Sequence, residues 1–373
     1  MRSRATAPQI VPGGAVWAWG ANYTGQLGQG AFEPVLGTVR VPEIEGVVAL
    51  AAGSGHSLAL RHDGTILAWG ANNYGQLGDG TRAHHGAPVR LPGLDSIEAI
   101  AAGDYHSLAL ARDGAVWAWG MNGQGQTTGD SLDLSRDPAW VSEVPAGAAV
   151  AAGANFSLAL TRDGEVWAWG SNSHGTLARG TVGGMSRTPE PVAALPNIVA
   201  IGAGPQHALA VDVDGGVWAW GANGGGQLGA DGLVDRAQPT RVSGLPPVVD
   251  VVGGMYFSAA RTGDGEIWIW GSHGVRGADG TRPIWKAQPV PVQVTLSRPA
   301  VALAADAFDC LALLDDGTIW GWGTPFPYGS TAPASRLPAM PVPVNGLTQV
   351  TALAVGNGHA LASIGSPGQP PAP

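Results

Sequence analysis

Residues 64–80 read GTILAWGANNYGQLGDG, and residues 97–113, which close the same unit, read IEAIAAGDYHSLALARD. Three short apolar runs, Ile66–Trp69, Ile97–Ala101 and Ser107–Ala111, are set apart by Gly, Asn, Asp and Pro. Runs of that length bounded by turn residues read as β-strands, being too short for stable helices. A fourth, weaker strand is expected after Pro88, at Val89–Leu91, because Pro-Val or Pro-Thr steps recur at Pro191, Pro239 and Pro289.

The unit is written seven times. Trp19, Trp69, Trp119, Trp169, Trp220, Trp270 and Trp322 each precede a glycine, at gaps of 50, 50, 50, 51, 50 and 52 residues. Such a period marks a propeller or a solenoid. The copies run 13–63, 64–113, 114–163, 164–214, 215–264, 265–316 and 317–366, between an N-terminal extension (1–12) and a Pro-rich tail (367–373). A length of 373 residues ordinarily suggests two domains. No copy can bury its own sheet faces alone, so the repeats form one domain.

Asp-Gly joins successive copies at Asp63, Asp113, Asp163, Asp214, Asp264 and Asp316. Between apolar runs this dipeptide marks a hairpin, because glycine accepts positive φ. Each copy therefore ends on a strand that pairs with the first strand of the next. Seven copies leave six such turns and one open junction, between Ile364 and Val16. Pairing His359–Ile364 with Ala15–Gly20 closes an all-β ring and removes the exposed edges of an open array.

Composition fits. The 59 glycines and 29 prolines exceed a fifth of the chain but sit at fixed repeat positions, which argues for structure over disorder. No apolar run reaches the 18 or so residues that span a bilayer, so no membrane partner is expected. Net charge is −9 and the pI about 5.4, and the few arginines form no basic stripe. Nucleic acid is therefore not an expected partner. The single cysteine precludes an internal disulfide and fits either redox compartment. The opening MRSRATAPQIVP lacks the apolar core of a signal peptide, giving a cytoplasmic expectation if Met1 is the native start and a secreted one if a leader was removed. One lysine among 19 basic residues points to a GC-rich, bacterial source.

The pattern V-W-A-W-G-x-N-x-x-G-Q-L-G, followed about 25 residues later by A-A-G-x-x-H-S-L-A-L, resembles the repeat of the regulator-of-chromosome-condensation family. The resemblance spans roughly residues 13–366 and implies a seven-bladed β-propeller. It is specific for fold and much less so for function. Members include a guanine-nucleotide exchange factor for a small GTPase, a plant ultraviolet-B receptor and a secreted bacterial inhibitor of β-lactamases, and function lives in sites grafted on folds. The receptors carry G-W-R-H-T at the G-x-x-H position, which no copy has here. The exchange factors insert a wedge in one blade, for which the even spacing leaves no room. GQLG is intact at Gln26, Gln76 and Gln227, altered at Gln126 and Thr176, and lost in the last two copies. That decay reads either as capping or as a blade adapted for binding.

Thirteen of the 15 tryptophans fall in the repeated strand. Alternate strand positions share a face, so each Trp-x-Trp pair lines one side of a blade. The G-x-x-H position holds His56, His106, Phe156, His207, Phe257, Asp309 and His359. Equivalent positions on neighbouring blades lie too far apart to share an ion at ~2.1 Å, so the histidines are expected to hydrogen-bond across blade junctions, with no metal or cofactor. Cys310, replacing the serine of HSLAL, is expected to be buried. His84 and His85 are expected to be solvated, and Trp140 and Trp285 to lie outside the repeat frame.

In the family, partner-binding residues cluster just before that histidine. Carried over by position, the resemblance implies a rim of Asp104, Tyr105, Asn155, Phe156, Gln206, Met255, Tyr256, Phe257, Phe308, Asp309 and Asn357. The loop after WG-x-N adds Tyr23, Tyr74, His174, His273 and Phe326. Antiparallel strands joined by an Asp-Gly turn have their far ends together, which places both loops on one side. The expected function is a non-catalytic, monomeric platform that binds another protein. Its rival is an enzyme or small-ligand binder using the central funnel, with Asp104, His106, Asp309 and His359 as acid–base groups. No nucleophile elbow, zinc-helix motif or phosphate loop is present.

Overall fold

Each Asp-Gly junction folds as a hairpin with three loop residues. At the first, Gly64 N donates to Arg61 O (2.9 Å) and Arg61 N to Thr65 O (2.9 Å). Gly64 sits at φ 81°, giving a type I turn followed by a left-handed residue. Asp63 locks the turn by accepting from the Thr65 amide (3.1 Å) and hydroxyl (2.6 Å), and Asp316 does the same with Thr318 (3.0 and 2.6 Å). The computed structural model describes residues 14–127, 135–272, 275–276, 283–284, 287–323 and 341–365. The extension, the tail, His273, Trp285 and Phe326 lie outside them.

Among the described residues, seven four-stranded antiparallel sheets surround a central channel. Blade one runs outward as Val47–Ala52, His56–Arg61, Ile66–Gly70 and His85–Arg90. Blades two to six begin on the innermost strands Ile97–Ala102, Gly147–Ala152, Ile198–Ala203, Val248–Gly253 and Ala300–Asp306. Blade seven combines Val350–Gly356 and His359–Ile364 with Val16–Gly20 and Val35–Arg40. Its closing register pairs Val16 with Ser363 through Gly20 with His359, and Ile364 N also donates to Ala15 O (3.0 Å). The strand pairing expected from the missing turn is thus present.

The outermost strand departs from expectation. It begins at His85, before Pro88, and interrupts its register opposite Trp69, with Ala68 paired to Val89 and Gly70 to His85. An edge strand tolerates this, because the missing proline N–H faces no neighbour. Two expectations in this region need correction. His85 is half-buried and bonds Asp79 at 2.7 Å; Trp140 belongs to the outermost strand of blade two, Ser135–Trp140, and is 57% exposed.

Each Trp-Gly tryptophan is buried and packs back on the preceding blade. Trp69 joins Val16, Leu27 and Val41 of blade seven, and Trp119 joins Leu58, Leu60 and Ile66 of blade one. Burying such a ring contributes roughly 2–3 kcal/mol, so most hydrophobic stabilisation lies between blades. Cys310 is fully buried.

Candidate functional site

The blade junctions fix the geometry of the channel mouth. At the junction of blades one and two, the backbone oxygen of Gln76 accepts from Trp119 Nε1 (2.9 Å) and from Ser107 Oγ (2.8 Å). The serine hydroxyl has spent its one proton, so His56 Nε2, 3.0 Å away, must be the donor to Ser107 Oγ. The tautomer follows, and Nδ1 is left as a bare acceptor with no partner. The same linkage joins His106 to Ser157 (2.9 Å), His207 to Ser258 (2.7 Å) and His359 to Ser57 (3.0 Å). Burial lowers these imidazoles to about 3 for His56, His106 and His207 and about 4 for His359. All four stay neutral, as imidazoles buried without a charged partner should.

The three remaining junctions change both partners together. Phe156 faces the blade that carries Ala208, Phe257 the blade with Cys310, and Asp309 the blade with Ala360. Where the imidazole is gone, the hydroxyl that served it is gone too. This pairing could have been read from the sequence by comparing each histidine with the serine of the following copy, 51 residues on for His56, His106 and His207 and around the closure to Ser57 for His359.

Beyond the junctions, two loops share one rim wherever both are among the described residues. The residue before the histidine position gives its carbonyl to the loop after Trp-Gly: Ala71 N bonds Gly55 O (2.7 Å), Met121 N bonds Tyr105 O (2.9 Å) and Ser272 N bonds Tyr256 O (2.7 Å). The intervening glycine is obligatory, since Gly70 has φ 99° and a Cβ there would meet Gly55 O at 2.4 Å. Tips also link around the channel, Ser54 N to Asp104 O (3.1 Å) and Ala154 N to Pro205 O (2.9 Å).

On this rim Tyr105 and Tyr256 are each 37% exposed and Tyr23 is 73% exposed. Gln206 and Asn357 are exposed, and Asp104, Asn155, Met255, Phe308, Tyr74 and His174 half-buried. Two aromatic pairs bridge adjacent blades: Tyr74 with Tyr105, centroids 5.1 Å apart, and Tyr256 with Phe308 at 6.4 Å. Asn155 accepts from Gln126 Nε2 at 3.2 Å, and His174 Nδ1 lies 2.7 Å from Asp235 on the next blade.

Several expected site residues are not on the surface. Phe156 and Phe257 are 1% and 2% exposed, because the histidine position points into the blade junction while its predecessor points out. Asp309 (7%), His106 (0%) and His359 (3%) are buried for the same reason. His106 and His359, neutral and sealed, are removed from the acid–base set.

The channel encloses about 440 Å³. Among the described residues that line it, the charged ones are Asp104, Asp250 and Asp306. Asp250 lies 3.7 Å from Arg261; burial holds its carboxyl above the usual range. Burial also raises Asp104, against a hydrogen bond from Ser54. Asp306 is pushed up to about 8 by burial and by the charges of Asp104 and Asp309. Asp250 and Asp306 were missed as site residues. The signal for Asp306 was its register, since it stands where six other copies carry glycine.

The profile of the regulator of chromosome condensation (RCC1) repeat matches residues 13–60, 63–110, 163–211 and 214–261, more than half of the chain. A second profile of the same repeat matches 47–76, 97–126, 148–176 and 198–227. Human WBSCR16 superposes with a TM-score of 0.82 at 21% identity, over 95% of this chain and 99% of that one. Yeast RCC1 (Prp20), crystallised bound to Kap60, gives 0.83 at 21%, over 99% and 95%. Prp20p from Saccharomyces cerevisiae, solved in work on its binding to Gsp1p and histones, gives 0.82 at 22%, over 97% and 93%. No curated protein sequence matches the chain. The repeats, the seven blades and the closing strand pair lead to one statement: the chain belongs to the regulator of chromosome condensation (RCC1) repeat family.

Proposed function

We propose that the chain is a non-catalytic, monomeric platform whose G-x-x-H rim binds another protein and so inhibits or regulates it. The carrying observation is the pair of aromatic couples, Tyr74–Tyr105 and Tyr256–Phe308, each with one exposed and one half-buried ring, on loops that backbone hydrogen bonds fix to the blades. Rigid, half-exposed tyrosines are the anchors that interfaces enrich, and they cost little entropy to immobilise. One structurally similar protein, solved twice, supports the reading in kind: yeast RCC1 (Prp20), by its complex with Kap60 and by its binding to Gsp1p and histones. A net charge of −9 favours a protein over nucleic acid as partner. The bacterial source expected from the single lysine belongs to the same reading.

The test is affinity capture from cells of the source organism with the wild-type chain and with Tyr105→Ala and Tyr256→Ala. A protein retained by the wild type and lost from both folded variants supports the platform. Retention by both variants overturns the rim assignment.

A further inference from the structure

We propose that the channel mouth receives a basic side chain, an arginine or lysine at the tip of a partner protein's loop, with Asp104 and Asp306 facing the cation. This rests on the protein-binding reading of the rim and specifies what that rim selects.

Asp306 breaks the rule of its own repeat. The other copies place Gly53, Gly103, Gly153, Gly204, Gly254 and Gly356 at this position. A Cβ on Gly53, Gly103, Gly204 or Gly356 would meet the next blade's carbonyl at 2.3–2.5 Å and the histidine ring of its own blade at 2.3–2.5 Å. On Gly153 or Gly254 it would meet the Phe156 or Phe257 ring at 2.0 Å. Only blade six has the shorter Asp309 in that place, so the two departures go together: loss of the ring removes one of the two groups that a side chain at this channel-lining position would meet. Departures of this kind from an otherwise consistent pattern mark functional positions.

Among the described residues, what balances that carboxyl is the Ala307 amide, which donates to it at 2.8 Å. The charges acting on Asp306 are those of Asp104 and Asp309, both negative. Asp104 is on blade two and Asp306 on blade six, four junctions apart one way around the ring and three the other, so they face each other across the channel. Arg261 is taken by Asp250. With its carboxyl pushed up to about 8, Asp306 mostly holds its proton at neutral pH. An entering cation offsets the neighbouring negative charges, draws the carboxyl into its ionised form with release of that proton to solvent, and gains from the low dielectric of a narrow channel.

The occupant is a side chain on a loop because of what flanks the acids. Tyr105 follows Asp104 in sequence and Phe308 lies two residues past Asp306. Each belongs to an aromatic pair at the mouth, able to pack the flanking loop residues and to add cation–π attraction. A cavity of about 440 Å³ admits one long side chain. Among the described residues no group of three His, Cys, Asp or Glu side chains has the geometry to hold a metal ion.

The experiment selects loops from a library of randomised loops displayed on a rigid carrier protein, using the full chain as bait. Each enriched loop is then measured against the wild type, Asp104→Asn, Asp306→Asn, Asp306→Gly and Tyr105→Ala. Asp306→Gly restores the residue of the other copies and serves as a variant that folds. Expected are loops with arginine or lysine near the tip, weakened roughly thirtyfold or more when that residue becomes glutamine or when Asp306 is replaced. Loops that need Tyr105 but carry no basic residue, or ignore both Asp306 variants, overturn the inference and leave the rim reading standing. If no loop depends on Tyr105, both fall.

Discussion

Removing one serine from a blade junction should cost more than removing the whole histidine–serine couple. In Ser107→Ala, His56 Nε2 loses its acceptor (3.0 Å) while Nδ1, itself an acceptor, has no donor to begin with, leaving a fully buried imidazole without a hydrogen bond. Gln76 O keeps Trp119 Nε1 at 2.9 Å, so the loss falls on the ring. An orphaned buried donor costs about 1–3 kcal/mol, which sets an expected destabilisation of roughly 2 kcal/mol. His56→Phe leaves Ser107 bonded to Gln76 O (2.8 Å) and should cost roughly 1 kcal/mol. The double variant recreates the Phe156–Ala208 couple that the chain uses between blades three and four, and should cost no more than about 1 kcal/mol. The singles then exceed the double by roughly 2 kcal/mol, well above the few tenths by which independent sites depart from additivity. Denaturant unfolding followed by tryptophan fluorescence gives all four stabilities. Additivity within about 0.5 kcal/mol would refute the donor–acceptor assignment and, with it, the reading of the paired substitutions.

The same junctions make stability depend on pH, and the chain termini carry the closure. The folded values of about 3 to 4 for His56, His106, His207 and His359 lie below the unfolded value of about 6.5. Between those limits the unfolded chain binds protons that the folded ring refuses, so stability is full above about pH 7 and falls as pH drops toward 4. Each imidazole contributes at most about 1.4 kcal/mol per pH unit, and His207→Phe with Ser258→Ala should lower the slope of denaturation midpoint against pH by one histidine's share; an unchanged slope counts against burial of a neutral ring. Deleting residues 359–373 removes the strand that pairs Val16–Gly20 and should lower the melting temperature far more than deleting residues 1–12. Equal, small losses would mean that the ring is not closed there.

Much of this architecture was legible because one residue type marks each strand. The Trp-Gly period fixes the third strand of every blade, and Asp63 and its equivalents fix the turn before it. The outermost strand was misplaced at Val89–Leu91 because an edge strand has one neighbour, tolerates Pro88 and carries little apolar pattern. At the rim, register was legible and burial was not. Tyr105 and Phe156 look alike as aromatic residues near the histidine, but they sit one residue apart in the repeat frame, and a one-residue step turns a side chain from solvent to the blade junction. Asp306 escaped because a carboxyl in place of glycine has meaning only once the facing ring of the other blades is known to fill that space.

The claim that one mouth of the ring is the binding face is tested most directly by hydroxyl-radical footprinting of the chain with and without its captured protein partner. Protection of Tyr23, Tyr105 and Tyr256 on the loop side, with the Asp-Gly turns still reactive, is the predicted result. Protection confined to the turn side, at Val199, Val213 and Val249, would contradict it.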